Sequence, residues 1–240
     1  MTGVGGGIII KSTLDFLGVF EVEEISLYSS LALIGMSSIN MMLNRKRLRN
    51  IPWKIISGLT SGAIIGGIVG NRFLMYLIGM IQHSNFVVVI QSSVLIILIS
   101  MTLFLIKKEF SMQLSFNIML LIGIGMLLGF FAAMLSIGGG PINVAVLLFV
   151  FGFPMKVCAL YSIIMIFFSQ LSGFTTVGLT TGFTAYEVST LALVFCTGVV
   201  GGLIGNKVAG LLSNEMTNRL FIYVLFCVIF LSVLNIVKAL

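Results

Sequence analysis

Residues 110–155 read FSMQLSFNIMLLIGIGMLLGFFAAMLSIGGGPINVAVLLFVFGFPM, 46 positions without an Asp, Glu, Lys or Arg. About 20 apolar residues in a helix cross the roughly 30 Å hydrocarbon core of a bilayer, so this run is too long for one crossing. Its only strong breaker is Gly138-Gly139-Gly140-Pro141. Proline suits the first turn of a helix, where its missing N–H costs nothing. A helix over 141–153 has 13 residues and is roughly 20 Å long at about 1.5 Å per residue. With its far end at the interface near Lys156, its start lies roughly 10 Å below the opposite interface. The Gly triplet is therefore submerged. Its N–H groups and the positive end of the helix require a partner that lipid does not provide, and water or an anion supplies one.

The rest of the chain confirms the bilayer. Of 240 residues, 59% belong to the AVILMFWYC set and 8% are charged, against about 25% charged in a soluble domain. Mean hydropathy is +1.21. Thirteen basic and seven acidic residues do not cover a soluble globule of this size. A nucleic-acid binder, a cytosolic hydrolase and a disulfide scaffold are excluded. The net charge of +6 is not a nucleic-acid signature, because five of the thirteen basic residues fall within 44–54: Arg45, Lys46, Arg47, Arg49 and Lys54. A loop of that kind is cytoplasmic under the positive-inside rule. Cys158, Cys196 and Cys227 lack metal or disulfide spacing, and no metal or cofactor is expected. No basic segment or small-residue cleavage site follows Met1, so no cleavable signal peptide is expected.

Charge-free runs place further spans at 25–44, at 55–71 (closed by Arg72), at 73–106 with a polar break at Gln82-His83-Ser84-Asn85, and at 157–186, 188–206 and 220–237. Backbone in lipid must satisfy its own hydrogen bonds, so these are helices. With 44–54 inside, Glu21, Glu23, Glu24 and His83 lie outside, and Lys107-Lys108 falls inside again. The expected location is the cell membrane, crossed many times.

The two halves of the chain match. A shift of 133 aligns Gly5-Gly6-Gly7 with Gly138-Gly139-Gly140 and Leu27-Tyr28-Ser29 with Leu160-Tyr161-Ser162, giving ten identities in the 25 positions from Gly5 to Ser29. A shift of 135 aligns Gly66-Gly67-Ile68-Val69-Gly70-Asn71-Arg72 with Gly201-Gly202-Leu203-Ile204-Gly205-Asn206-Lys207. Equivalent loops differ in charge: 20–24 is acidic where 153–156 carries Lys156, and 44–54 is basic where 179–186 has no Lys or Arg. That is the pattern of inverted repeats, as in many secondary transporters. The expectation is an all-α membrane bundle of two inverted-topology repeats, 1–109 and 110–240, with short broken helices at the Gly-rich motifs. Inversion needs an odd number of crossings. The second half supplies five, at about 116–136, 138–153, 157–178, 186–210 and 217–238, and the first half shows four, without a counterpart of 116–136 ahead of Gly5.

Two submerged Gly turns entering from opposite sides define one central anion site, formed by Gly5, Gly6, Gly7, Gly138, Gly139, Gly140, Pro141 and Asn143. Close packing of helices is the bland explanation for one triplet, and the duplication favours the site. The following helices add Tyr28 and Ser29, Tyr161 and Ser162, then Ser169, Gln170 and Ser172, whose hydroxyl and amide groups suit oxyanion oxygens. Back-bonding to the preceding turn explains any single serine equally well, and the tyrosines also suit an interfacial belt. Lys11, Arg72 and Lys207 are candidate charge partners, since basic residues near the core are few. Snorkelling competes for the latter two. Asp15 is the one acid in a membrane segment and a candidate for proton coupling, whereas His83 reads as a loop residue.

These motifs together resemble the TauE/SafE sulfite exporter family: a Gly triplet opening a short helix, a small-polar pair about 23 residues later, Ser-x-x-x-Gly at Ser169–Gly173, and the repeated Gly-Gly-x-x-Gly block. The resemblance covers essentially the whole chain and implies movement of small sulfur or carbon oxyanions, such as sulfite or sulfonates, across the cytoplasmic membrane. The expected function is secondary transport by alternating access at a midplane site, with an anion channel and a non-transporting assembly factor as the competing readings. A paired-Asp, His-Glu-x-x-His or Ser/His arrangement is missing from the sequence, so no enzyme is expected. The partners called for are a small anion, the lipid bilayer and a coupling ion, proton or sodium. An oligomer is compatible with this reading, and nucleic acid is not.

Overall fold

The computed structural model describes residues 6–49, 51–81, 84–107, 112, 117–180, 182 and 186–239, among which there are ten helices. They are α1 (Gly7–Leu17), α2 (Val22–Leu43), the single turn α3 (Arg45–Leu48), α4 (Trp53–Met80), α5 (Ser84–Lys107), α6 (Ile118–Met134), α7 (Gly140–Phe151), α8 (Met155–Thr180), α9 (Val188–Leu211) and α10 (Asn214–Ala239). No strand occurs among the described residues. Six of these helices are long and apolar enough to cross a membrane, and α6 and α7 are shorter apolar helices.

Local chemistry sets the ends. Glu21 and Glu24 form a capping box at the start of α2, with the Glu21 N–H donating to the Glu24 carboxylate at 3.1 Å. Asn117 caps α6 by accepting from the Met119 N–H at 3.1 Å. Pro141 sits in the first turn of α7. One boundary differs from the sequence reading. Arg72 does not close its helix, for α4 continues to Met80, whereas α9 runs through Lys207 to Leu211, close to the crossing expected at about 186–210. Both side chains are exposed, and a long cationic stem on the outer face of a helix reaches the interface without ending it. The expected crossing at 138–153 is a helix of 12 residues, about 18 Å long, short of the roughly 30 Å core.

Glycine sets how closely the helices approach. Gly58, Gly62, Gly66 and Gly70 present one face of α4 to α6, so that an added Cβ on any of them would collide with α6. Gly125 and Gly129 of α6 answer against Leu59 and Ala63 of α4. In lipid, where apolar burial gives no drive to associate, such backbone contact is what holds helices together. Polar groups add specific ties: Asn71 Nδ2 donates to the Gly173 carbonyl at 3.0 Å, joining α4 to α8, and Asn235 Nδ2 donates to the Ser12 carbonyl at 3.1 Å, joining α10 to α1.

The contacts recur in pairs. Under the 133–135 shift α1 answers to α7, α2 to α8, α4 to α9 and α5 to α10. Correspondingly α4 packs on α8 and α9 on α2, α5 packs on α7 and α10 on α1, while α2·α8 and α5·α10 set each helix against its own counterpart. One end of the bundle gathers α1's end with α10's, through Lys238 Nζ donating to the Phe16 carbonyl at 2.6 Å, and brings Tyr186 against Tyr28 at 6.3 Å between ring centroids. The other end gathers Arg47, Lys156 and Leu212 around one cavity, and there the Met112 N–H donates to the Phe149 carbonyl at 2.8 Å. The turn after α1 and the turn after α7 therefore lie at opposite ends.

Candidate functional site

The chain breaks where the Gly triplet sits. After α6 ends at Met134, Ser136, Gly138 and Gly139 take left-handed φ values of 56°, 72° and 68°, and α7 begins at Gly140. That conformation costs an L-residue roughly 1–2 kcal/mol and glycine almost nothing. Ser136 holds it because α2 grips both of its polar groups. Its Oγ donates to Ser26 Oγ at 2.7 Å, and its carbonyl accepts from Ser29 Oγ at 2.9 Å. Gln91 Nε2 of α5 donates to the Met134 carbonyl at 2.7 Å and ties off the end of α6.

Within the turn the Ser136 and Ile137 N–H groups return to the Ala133 and Ala132 carbonyls at 3.0 and 3.2 Å. The N–H groups of Gly138, Gly139, Gly140 and Ile142 meet no acceptor among the described residues, and all four residues are buried. Pro141 has no N–H to offer. Two further buried polar atoms lack a partner: Asn143 Oδ1, one turn into α7, and Gln170 Nε2 on α8. A set of unpaired donors at a positive helix end, inside a membrane bundle, has the chemistry that could hold an anion. It offers dipoles in place of formal charge.

The other expected site residues fall into distinct places. Ser162 Oγ donates to the Gly140 carbonyl at 3.3 Å, Ser169 Oγ to the Gly129 carbonyl at 3.5 Å, and Ser172 Oγ to the Ser169 carbonyl at 2.8 Å. Ser162 and Ser169 brace α8 against the turn and against α6, whereas Ser172 bonds back within α8 and reaches the Ile64 carbonyl of α4 at 3.2 Å. Tyr28 packs edge-on to Phe20 near one end of the bundle, whereas Tyr161 stacks on Phe153 near the other. Gly5 lies outside the described residues, as does His83. Gly6 stands at the N-cap of α1 with φ −59°, so it does not take the left-handed conformation of its counterpart Gly139. Lys11 pairs with Asp15 at 2.5 Å, both side chains buried, and Asp15 Oδ1 has no partner. Arg72 and Lys207 are exposed on their helices.

The structure also supplies residues that the sequence did not flag. A Cβ on Gly7 would stand 2.5 Å from Leu33 Cδ1 and 2.8 Å from the Ile137 carbonyl oxygen. One on Gly138 would stand 2.7 Å from the same Leu33 atom and 3.4 Å from Ile166 Cγ2. The two triplets thus meet across Leu33, and Leu33 and Ile166 are themselves equivalent under the shift of 133. An aliphatic residue in an apolar helix carries no local signal. Their matched positions in the two halves are the only trace. Among the described residues no group of three or more His, Cys, Asp or Glu could hold a metal ion.

A family model described as sulfite exporter TauE/SafE matches residues 1–231. A curated relative, the probable membrane transporter protein YunE of Bacillus subtilis (strain 168), is 26% identical over 202 residues, which is 72% of this chain and 70% of the relative. No solved structure matches the chain.

Proposed function

The chain belongs to the sulfite exporter TauE/SafE family, and from that membership we propose that it is a secondary transporter of small oxyanions, sulfite or sulfonates among them. It works by alternating access around the turn at Gly138–Gly140. The observation that carries the reading is the buried row of N–H groups on Gly138, Gly139, Gly140 and Ile142, left without acceptors at the start of α7. A bound oxyanion accepts from such donors without bringing a countercharge into the membrane. Repeats 1–109 and 110–240 related by inversion are supported by the paired helix contacts and by the opposite ends at which α1 and α7 finish. Coupling to a proton or sodium ion is part of the proposal, as is placement in the cell membrane with 44–54 in the cytoplasm.

A carrier rather than a channel is supported by the packing over the turn. Leu33, Ile166 and Ala132 press on Gly138 and Gly139, so the site is closed from the side on which α2 and α8 lie. Counterflow in proteoliposomes tests this. Vesicles loaded with sulfite are expected to take up labelled sulfite faster than empty ones, and Gly139→Val abolishes the uptake while the protein remains folded. In Gly139→Val the new Cβ stands 2.9 Å from Ala132 Cβ and 3.1 Å from Asn143 Oδ1. Equal rates from loaded and empty vesicles would favour a channel. Unchanged uptake by Gly139→Val would remove the turn from the site.

A further inference from the structure

The turn at Gly138–Gly140 carries one group of the wrong sign for a bare anion. Asn143, one turn into α7, is 2% exposed, and its Oδ1 meets no donor among the described residues. Side chains in a helix lean back toward its N-terminus, and this one brings Oδ1 to 3.1 Å from the position that a Cβ on Gly139 would take. The Asn143 N–H is already occupied, donating to the Gly139 carbonyl at 2.8 Å. A buried acceptor thus lies against the same short stretch whose N–H groups, on Gly138, Gly139, Gly140 and Ile142, are the unpaired donors. An oxyanion whose oxygens are all bare satisfies those donors and leaves Oδ1 facing a lone pair. Buried polar atoms without a partner are rare because each carries its full desolvation penalty.

Charge points the same way. Among the side chains the structure describes, Lys11 is the only buried base, and Asp15 holds it. Arg72 and Lys207 are exposed. The turn therefore offers an anion no full countercharge, only the end of α7, worth roughly half a positive charge. In the Born picture desolvation grows with the square of the charge, so a dianion loses about four times what a monoanion loses on entry.

We propose that the turn selects a monoanionic oxyanion that keeps one acidic O–H, the hydrogen form of a dibasic oxyacid. Its bare oxygens accept from the N–H groups of Gly138, Gly139, Gly140 and Ile142, and its O–H donates to Asn143 Oδ1. This rests on the transport reading given above and narrows it. Sulfite enters as hydrogensulfite with its proton on oxygen, and a sulfonate, a monoanion without that O–H, is the poorer ligand.

Methanesulfonate and methylphosphonate test the selection, because at mildly acidic pH both are monoanions of nearly the same shape and differ by a single O–H. Each is titrated as an inhibitor of labelled sulfite counterflow in proteoliposomes at that pH. Methylphosphonate is expected to inhibit about tenfold more tightly, the worth of one buried hydrogen bond involving a charged ligand. Asn143→Leu keeps the bulk and removes the acceptor, and it is expected to bring the two inhibition constants together in a protein whose melting temperature shows that it is folded. The wild-type comparison decides the matter should that variant not fold. Equal inhibition of the wild-type protein by the two compounds overturns the proposal, while sulfite counterflow leaves the transport reading standing. A preference for methylphosphonate that survives in folded Asn143→Leu overturns it as well, by taking Asn143 out of the site. Absence of sulfite counterflow is a separate failure, which removes the transport reading and this selection with it.

Discussion

Lys11 and Asp15 show how a single pair of residues changes meaning when its surroundings are known. Read alone, the lysine is a free cation for an anion and the aspartate a lone acid. In the structure they neutralise each other one helical turn apart, at 3% and 2% exposure. The second half has Val144 and Leu148 in their places, so the pair is private to α1. A buried pair is expensive to desolvate and roughly replaceable by apolar residues, but loss of one partner strands a charge at about 3–5 kcal/mol. Asp15→Leu is therefore expected to destabilise the protein by about that amount, and Lys11→Met with Asp15→Leu to recover most of it. Thermal unfolding in detergent reads both. If the double variant were as unstable as the single one, Lys11 and Asp15 would have to support the fold separately.

At the scale of helices, the matched glycine stripes on α4 and α9 give the same substitution two different outcomes. Gly66→Leu drives a side chain into the Met126 backbone of α6, where overpacking costs about 1–3 kcal/mol or more. Gly201→Leu, at the equivalent position, enters open space. The first is expected to lower the melting temperature and the second to leave it nearly unchanged. Gel-filtration profiles and melting temperatures of the two variants decide it. Gly201→Leu as damaging as Gly66→Leu would show that α9 is covered on that face. The helices themselves were legible in the sequence because charge-free length is what a bilayer demands, and the break at Gly138–Pro141 because three glycines and a proline fall inside an uncharged run too long for one crossing. Arg72 misled as a boundary, since a run of uncharged residues records where charge is missing rather than where the backbone stops. The site was legible as a turn and not as a cavity. Ser26 with Ser136, and Leu33 with Gly7 and Gly138, are contacts between distant segments, and only the assembled fold determines them.

The whole molecule adds a constraint that no single helix carries, namely which equivalent loops share a side. Arg47 and Lys156 line one cavity, although the segment 44–54 belongs to the first half and Lys156 to the second. The turn after α1, the counterpart of the turn before Lys156, lies instead with Lys238 and the acidic start of α2. If the basic end faces the cytoplasm, cysteines placed at exposed Arg49 and at Lys156 react with an impermeant maleimide only after the cell membrane is opened. Cysteines at exposed Val19 and at Glu187 react in intact cells. The native Cys158, Cys196 and Cys227 are first replaced by alanine so that they give no background. Labelling of the Arg49 and Lys156 positions from outside, with Val19 and Glu187 protected, would reverse the orientation and keep the architecture. A split within either pair would break the architecture itself, because Arg49 with Lys156 and Val19 with Glu187 are each drawn from different halves. Agreement of both pairs is what an inverted duplication requires: corresponding turns of the two halves must label from opposite sides of the same membrane.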